Sequence, residues 1–250
     1  MTPVMIVSPC LSARFLSRPN RFVVLAEIDG AAEPCHLHDS GRLGELLFPG
    51  NRLTVRKAGP GVHRKTGYDV ISALSDDGEE ILINSSLHRE ISGRILGDPA
   101  LSPFGRAENL RAEVRCGESR LDWLVQRKSG RRLQDIWVEV KGVSLSVDKV
   151  AMFPDAPSER AAKHLKTLMA MKKSGARAAV LFLVLRDSLA FRPRIETDPA
   201  FAAAFYEAMD AGVEIWPIQL RFEKGTLYTL EKTIRILKQG AIPLRPARMK

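Results

Sequence analysis

Between residues 22 and 87 the apolar positions fall in short runs, FVVLAEIDG, AAEPCHLHD, NRLTVRKAG, YDVISALSDDG and EEILINSSL, most of them ending in or followed by turn-forming residues. Runs of this length predict strands, and little helical periodicity separates them. Asp29-Gly30 and Asp77-Gly78 add hairpin signals, because the tightest hairpin turns need residues that tolerate positive φ. A small β-barrel accommodates such a succession.

The pattern changes at SGRILGDPALSPFG, whose glycines and prolines predict an interruption of regular structure and a boundary between domains 1–92 and 93–250. Strand-like segments at 112–116, 120–127 and 135–145 are followed by a helical period at 158–173 and an apolar run, Ala178–Leu185. A second helix at 198–211 and the strand-like VEIWPIQLRFE complete the series. An apolar run without a polar face fits a strand covered on both sides. The prediction for this half is an α/β sandwich, a sheet with helices on its faces.

In the first of these helices Pro157 and Ser158 suit the start and Gly175 the stop. Ala161, Leu165, Leu168 and Met169 share one stripe, and Arg160, Lys163, His164 and Thr167 follow helical spacing on what is expected to be the opposite, basic face. A solvated surface is the plain reading of such a face.

Composition adds a partner class. The chain carries 38 Lys and Arg against 29 Asp and Glu, and because residues 1–97 are balanced, the whole net charge of +9 lies after residue 97. A basic half attracts polyanions, nucleic acid first among them. Three dispersed cysteines argue against a disulfide framework, no stretch resembles a signal peptide or a membrane span, and the expected location is the cytoplasm. Some apolar positions could equally serve a homodimer interface.

The candidate chemistry sits in SRLDWLVQRKSGRRLQDIWVEVK at 119–141. Side chains alternate across a strand, so Glu139 and Lys141 share a face, and Asp122 points away from Leu121 and Trp123. If the two strands pair through the KSGRR turn, Asp122 comes beside Glu139. Two adjacent carboxylates repel unless a cation neutralises them, and hard oxygen donors suit Mg²⁺ or Mn²⁺. Such an ion polarises a phosphoryl oxygen and activates water, with Lys141 placed to stabilise developing charge. A surface salt bridge of Lys141 with either carboxylate is the alternative for the same residues.

Two other strings carry less. CHLH at 35–38 has too few partners for a structural zinc, and GPGVHRKTG at 59–67 lacks the ending of a phosphate loop. Arg56, Lys57, His63, Arg64 and Lys65 remain candidate backbone contacts of a basic barrel loop, with Arg42 of Ser40-Gly41-Arg42 beside them. Aromatic residues are scarce at 6%, which favours phosphate contacts over base stacking.

Asp122, sixteen intervening residues, then Glu139-x-Lys141 resembles the PD-(D/E)xK nuclease superfamily. More specifically, RFVVLAEI, HDSGRLGELLFPG, AEVRCGESRLDWLV, VEVKGVSL and MFPDAPSERAAKHL, in that order, resemble the sugar fermentation stimulation protein A (SfsA) family over nearly the whole chain. The resemblance implies an N-terminal OB-type β-barrel, a C-terminal nuclease-like α/β sandwich, DNA or RNA binding and a metal-dependent nuclease activity. A non-catalytic DNA-binding regulator linked to sugar (maltose) metabolism is the other function it implies. Carried over by position, Asp122, Glu139 and Lys141 are the catalytic set, with Asp122, Glu139 and Glu113 as metal ligands. Arg160, Lys163, His164 and Arg120 become phosphate contacts, and Ser119, Asp155 and Glu159 supporting positions. Cys116, Ser158 and Ala161 depart from the usual aromatic, threonine and glycine of the family.

Overall fold

A computed structural model describes residues 1–59 and 64–240, and the chain divides into two compact units. The first comprises Met1–His88 together with Leu220–Leu230, and the second Arg89–Gln219 with Glu231 and the described residues that follow it. Where local pattern placed a single cut near residue 93, a late segment returns to the first unit.

That unit is built on β1 (Thr2–Ile6), β2 (Leu11–Asn20), β3 (Val23–Ile28), β4 (Ala31–His36), β5 (Arg52–Lys57), β6 (Tyr68–Leu74) and β7 (Glu80–Leu82). The sheet runs β4-β3-β2-β5-β6-β7, and a parallel pairing of β4 with β6, Cys35 opposite Tyr68, closes five strands into an OB-type barrel. Alternation fills its interior: Val24, Ala26, Ile28, Leu53 and Val55 are buried, while Glu27 and Arg52 face water. Asp29 and Gly30, at φ 50° and 82°, make the tight β3–β4 turn that the Asp-Gly pair predicts.

The second unit opens with α1 (His88–Gly97), a helix in the stretch where glycines predict an interruption. Gly93 does not break it. A Cβ there would lie 3.0 Å from two ring carbons of Trp123, so the missing side chain is what lets the helix approach that ring. Trp123 Nε1 also donates to Ser92 Oγ at 2.8 Å.

The main elements follow as β8 (Asn109–Cys116), β9 (Ser119–Ser129), β10 (Arg132–Val143), β11 (Ser146–Val147), β12 (Val150–Phe153), α2 (Glu159–Lys173), β13 (Arg177–Val184), β14 (Ala190–Pro193), α3 (Pro199–Asp210), β15 (Glu214–Glu223), β16 (Thr226–Thr229) and β17 (Arg235–Ile236). β15, β13 and β10 are parallel neighbours, and β9 and β8 extend the sheet antiparallel. Beyond Gln219, β15 pairs with β16, which pairs with β1 inside the first unit. A smaller sheet has the order β11-β12-β14-β17.

Helices α2 and α3 cover one face of the main sheet through Ala161, Leu165, Leu168, Phe182, Phe201 and Phe205. The Ala178–Leu185 run is buried throughout, as its composition requires. Ser158 caps α2 by accepting Ala161 N–H at 3.2 Å, and Asp198 caps α3 by accepting Phe201 N–H at 2.8 Å. Asp198 also accepts the N–H of Ser158 at 2.8 Å, which ties the two helix starts together. No helix among the described residues is long and apolar enough to cross a membrane.

Candidate functional site

The site starts from strand register. Val138 lies opposite Trp123 in the antiparallel β9–β10 ladder, the last pair before ladder pairing ends. Continuing that register sets Glu139 opposite Asp122. At this point a side chain takes over from the ladder: Asp122 Oδ2 accepts the backbone N–H of Val140 at 2.7 Å. Trp123 and Val138 belong to the other face, towards α1, so Asp122, Glu139 and Lys141 share the face covered by α2.

Glu139 is 3% exposed. Its Oε1 accepts from both Lys141 Nζ and His164 Nδ1, whereas Oε2 is buried without a hydrogen-bond partner. Burial by itself raises the pKa of Glu139, but the hydrogen bond from His164 and the charge of Lys141 outweigh it and hold the carboxyl below the usual range. An ionised carboxylate can only accept, so His164 carries its proton on Nδ1. Asp122 goes the other way. Burial, then the neighbouring Glu139 charge, outweigh the Val140 N–H and push it up to about 6.

One carboxylate therefore has an unsatisfied buried oxygen, and its neighbour resists ionisation for want of positive charge. Hard oxygen donors in that condition fit a cation of the Mg²⁺, Mn²⁺ or Ca²⁺ type. Among the described residues no three His, Cys, Asp or Glu side chains converge as a metal cage, so this chain offers a two-carboxylate set.

Glu113 stays outside that set. Register places it beside Asp122, between Ala112 opposite Trp123 and Val114 opposite Leu121. Its backbone, however, has φ 54°, and its half-exposed carboxylate pairs with Arg89 at 2.7 Å and Arg120 at 3.3 Å. Arg120 is thereby engaged with Glu113. Ser119 is buried and shares a 2.9 Å hydrogen bond with Thr167, so it pins the β8–β9 turn to α2.

His164 is the clearest departure from the sequence expectation. It is buried against Glu139 and not on an exposed basic face. The signal was present: at ~100° per residue His164 lies only ~40° from Leu168 on the helix, at the flank of the apolar stripe. Arg160 and Lys163 are exposed as predicted, with Lys163 Nζ 3.5 Å from Glu118, and Glu159 is exposed in the first turn of α2. Asp155 is half-buried before that helix.

In the barrel, Arg64 does not reach outward as the sequence predicts. Its guanidinium donates to Asp69 at 2.5 Å, and His38 meets the same carboxylate oxygen at 2.8 Å. Arg42 and Lys65 are exposed, and His63 lies outside the described residues. Cys116, where the family resemblance predicts an aromatic residue, packs its thiol 3.4 Å from Met171 Sδ.

Comparison with known proteins places this geometry. Residues 16–83 match the SfsA N-terminal OB domain, and residues 86–226 match the sugar fermentation stimulation protein RE domain. A sugar fermentation stimulation protein homolog of Methanococcoides burtonii is 41% identical over 225 residues, 87% of this chain and 89% of the relative. The homolog of Methanothermobacter thermautotrophicus is 39% identical over 236 residues, 93% and 96% of the two chains. A solved structure, Pyrococcus furiosus SfsA in complex with Ca²⁺, aligns with a TM-score of 0.85 at 31% identity, covering 95% of this chain and 100% of that one. The chain belongs to the sugar fermentation stimulation protein family.

Proposed function

We propose that this protein is a divalent-metal-dependent nuclease that hydrolyses phosphodiester bonds of DNA or RNA in the cytoplasm. The observation that carries this reading is the buried Glu139 carboxylate, which leaves Oε2 unpartnered beside an Asp122 that burial and repulsion hold at about 6. Asp122 and Glu139 would hold Mg²⁺ or Mn²⁺, and the Ca²⁺ complex of the Pyrococcus relative supports a hard divalent ion as a ligand. A bound ion of this class supplies Lewis acidity and a nucleophilic water. The chain supplies the rest. His164 and the Val140 N–H fix the two carboxylates, and Lys141 sits beside Glu139 as a cation for the charge that develops on phosphate. Arg160 and Lys163 on α2, with Arg42 and Lys65 on the barrel, are the candidate backbone contacts.

A second reading has its own observation: Lys141 and His164 both bond Glu139, so that carboxylate has basic partners without any metal. On that reading the protein is a non-catalytic DNA-binding regulator of sugar metabolism, and the names of its relatives support the link to sugar fermentation. Labelled DNA and RNA incubated with Mg²⁺, Mn²⁺ or EDTA separate the two. The nuclease reading expects cleavage only with metal, and its loss in Asp122→Asn and Lys141→Ala. Absence of cleavage with every metal, or its survival in both variants, overturns it.

A further inference from the structure

The two strands that hold Asp122 and Glu139 continue well past them. Their ladder runs from Trp123 opposite Val138 to Ser129 opposite Arg132, and Gly130 at φ 61° makes the turn. The turn end is basic: Arg127, Lys128, Arg131 and Arg132 occupy four of six positions, with no acidic residue among them. Strand pairing does not neutralise them. Arg132 faces Ser129, Lys128 faces Leu133 and Arg127 faces Gln134, where a stabilised hairpin would set opposite charges across the ladder. Among the described residues only Lys128 has a carboxylate within ion-pair distance, Glu108 at 3.8 Å, and the three arginines take part in no ion pair. Lys128, Arg131 and Arg132 are exposed, and beside them Leu133 is 59% exposed.

We propose that this hairpin is a nucleic-acid-binding arm that grips the phosphate backbone at a fixed distance from the Asp122–Glu139 pair. The proposal rests on the nucleic-acid reading above and adds where the polymer is held. Charge complementarity selects the partner, since a cluster that repels itself gains most from a polyanion. Covalent continuity sets the distance. Seven residues of strand from Asp122 to Ser129 span about 20 Å, which matches about six nucleotides along one strand. Arg127, Arg131 and Arg132 hold phosphates without reading bases, and Leu133 gives the tip an apolar contact.

Binding of fluorescein-labelled DNA in EDTA tests the arm apart from catalysis, because no metal is present and Asp122, Glu139 and Lys141 are unchanged. With a duplex about 20 base pairs long, Arg131→Gln/Arg132→Gln should weaken binding about tenfold and lower the slope of log K against log salt by about 1.8. Arg131→Lys/Arg132→Lys should restore that slope, and thermal melts should match wild type because both positions are exposed. Duplexes of about four base pairs, shorter than the reach of the arm, should bind wild type and the Gln variant alike. An unchanged salt slope overturns the proposal, as does equal weakening on short and long duplexes. Loss of binding to vesicles of anionic phospholipid with DNA affinity intact also overturns it, in favour of a membrane surface. Loss of cleavage in Asp122→Asn, with this binding result negative, would leave the nuclease reading standing without the arm.

Discussion

Among the described residues, two of the buried carboxylates, one in each unit, are each held by a histidine and a basic side chain. In the barrel, Asp69 meets His38 at 2.8 Å and Arg64 at 2.5 Å; in the α/β unit, Glu139 meets His164 and Lys141. For both, burial raises the carboxyl and the basic partners more than reverse it. The difference lies in what stands next to them. Glu139 has a second carboxylate, Asp122, pushed up to about 6, and an oxygen with no partner. Asp69 ties a barrel strand to a loop and a neighbouring segment, whereas Glu139 has capacity to spare. A carboxylate, a histidine and a cation are therefore not enough to mark a site; the unsatisfied second acid is what distinguishes it.

Divalent-ion titration by calorimetry should separate the two clusters most sharply. Glu139→Gln is expected to weaken Mn²⁺ or Ca²⁺ binding by at least about 100-fold, while Asp69→Asn leaves it unchanged. Equal losses would mean that the distinction between the clusters is wrong.

Asp122 also gives the α/β unit a pH signature opposite in sign to that of the barrel, where burial lowers the His36 imidazole. The folded protein keeps a proton on Asp122 up to about pH 6, whereas the unfolded chain releases it near 4, so the folded state binds more protons between these values. Stability of the metal-free protein should then fall as pH rises through that window, by up to about 3 kcal/mol. Glu139, held below its ordinary value, contributes the opposite slope only at lower pH, whereas His36, which burial lowers, contributes it within the window, so the difference between wild type and Asp122→Asn isolates Asp122. Urea denaturation in EDTA should show wild-type stability falling relative to Asp122→Asn as pH rises through this window. Parallel profiles for the two proteins would remove Asp122 from the site as described.

The barrel cluster should answer in stability instead. Asp69→Asn leaves His38 and Arg64 without their charged partner and should cost about 2 kcal/mol in denaturant unfolding. The smallest effect is expected at Ser158, where loss of the cap in Ser158→Ala should cost about 1 kcal/mol and Ser158→Thr almost nothing. If Ser158→Ala were neutral, the Asp198 carboxylate that accepts the Ser158 N–H would be holding that helix start by itself.

Much of this arrangement was legible in the chain. Alternation alone put Glu139 and Lys141 on one face and brought Asp122 beside them, because a strand has only two faces and the hairpin fixes which residues meet. The helix at 159–173 announced itself through Ser158 at its start, whereas Asp198 as the cap of the helix at 199–210 emerged only with the structure. The missing pieces share a cause. His164, Arg64 and Gly93 each carry a side chain, or lack one, for the sake of a partner distant in sequence: Glu139, Asp69 and Trp123 in turn. A local pattern read His164 and Arg64 as surface and Gly93 as a break because those partners are invisible at short range.

The sequence by itself determined the strand and helix alternation, the placement of the charge excess and the convergence of Asp122 with Glu139, since these follow from periodicities of two and 3.6 residues. The tertiary structure decided which carboxylate is ionised, which oxygen lacks a partner and that Glu113 turns away to Arg89 and Arg120. Those outcomes depend on burial and on hydrogen-bond geometry between segments, and no spacing along the chain encodes either.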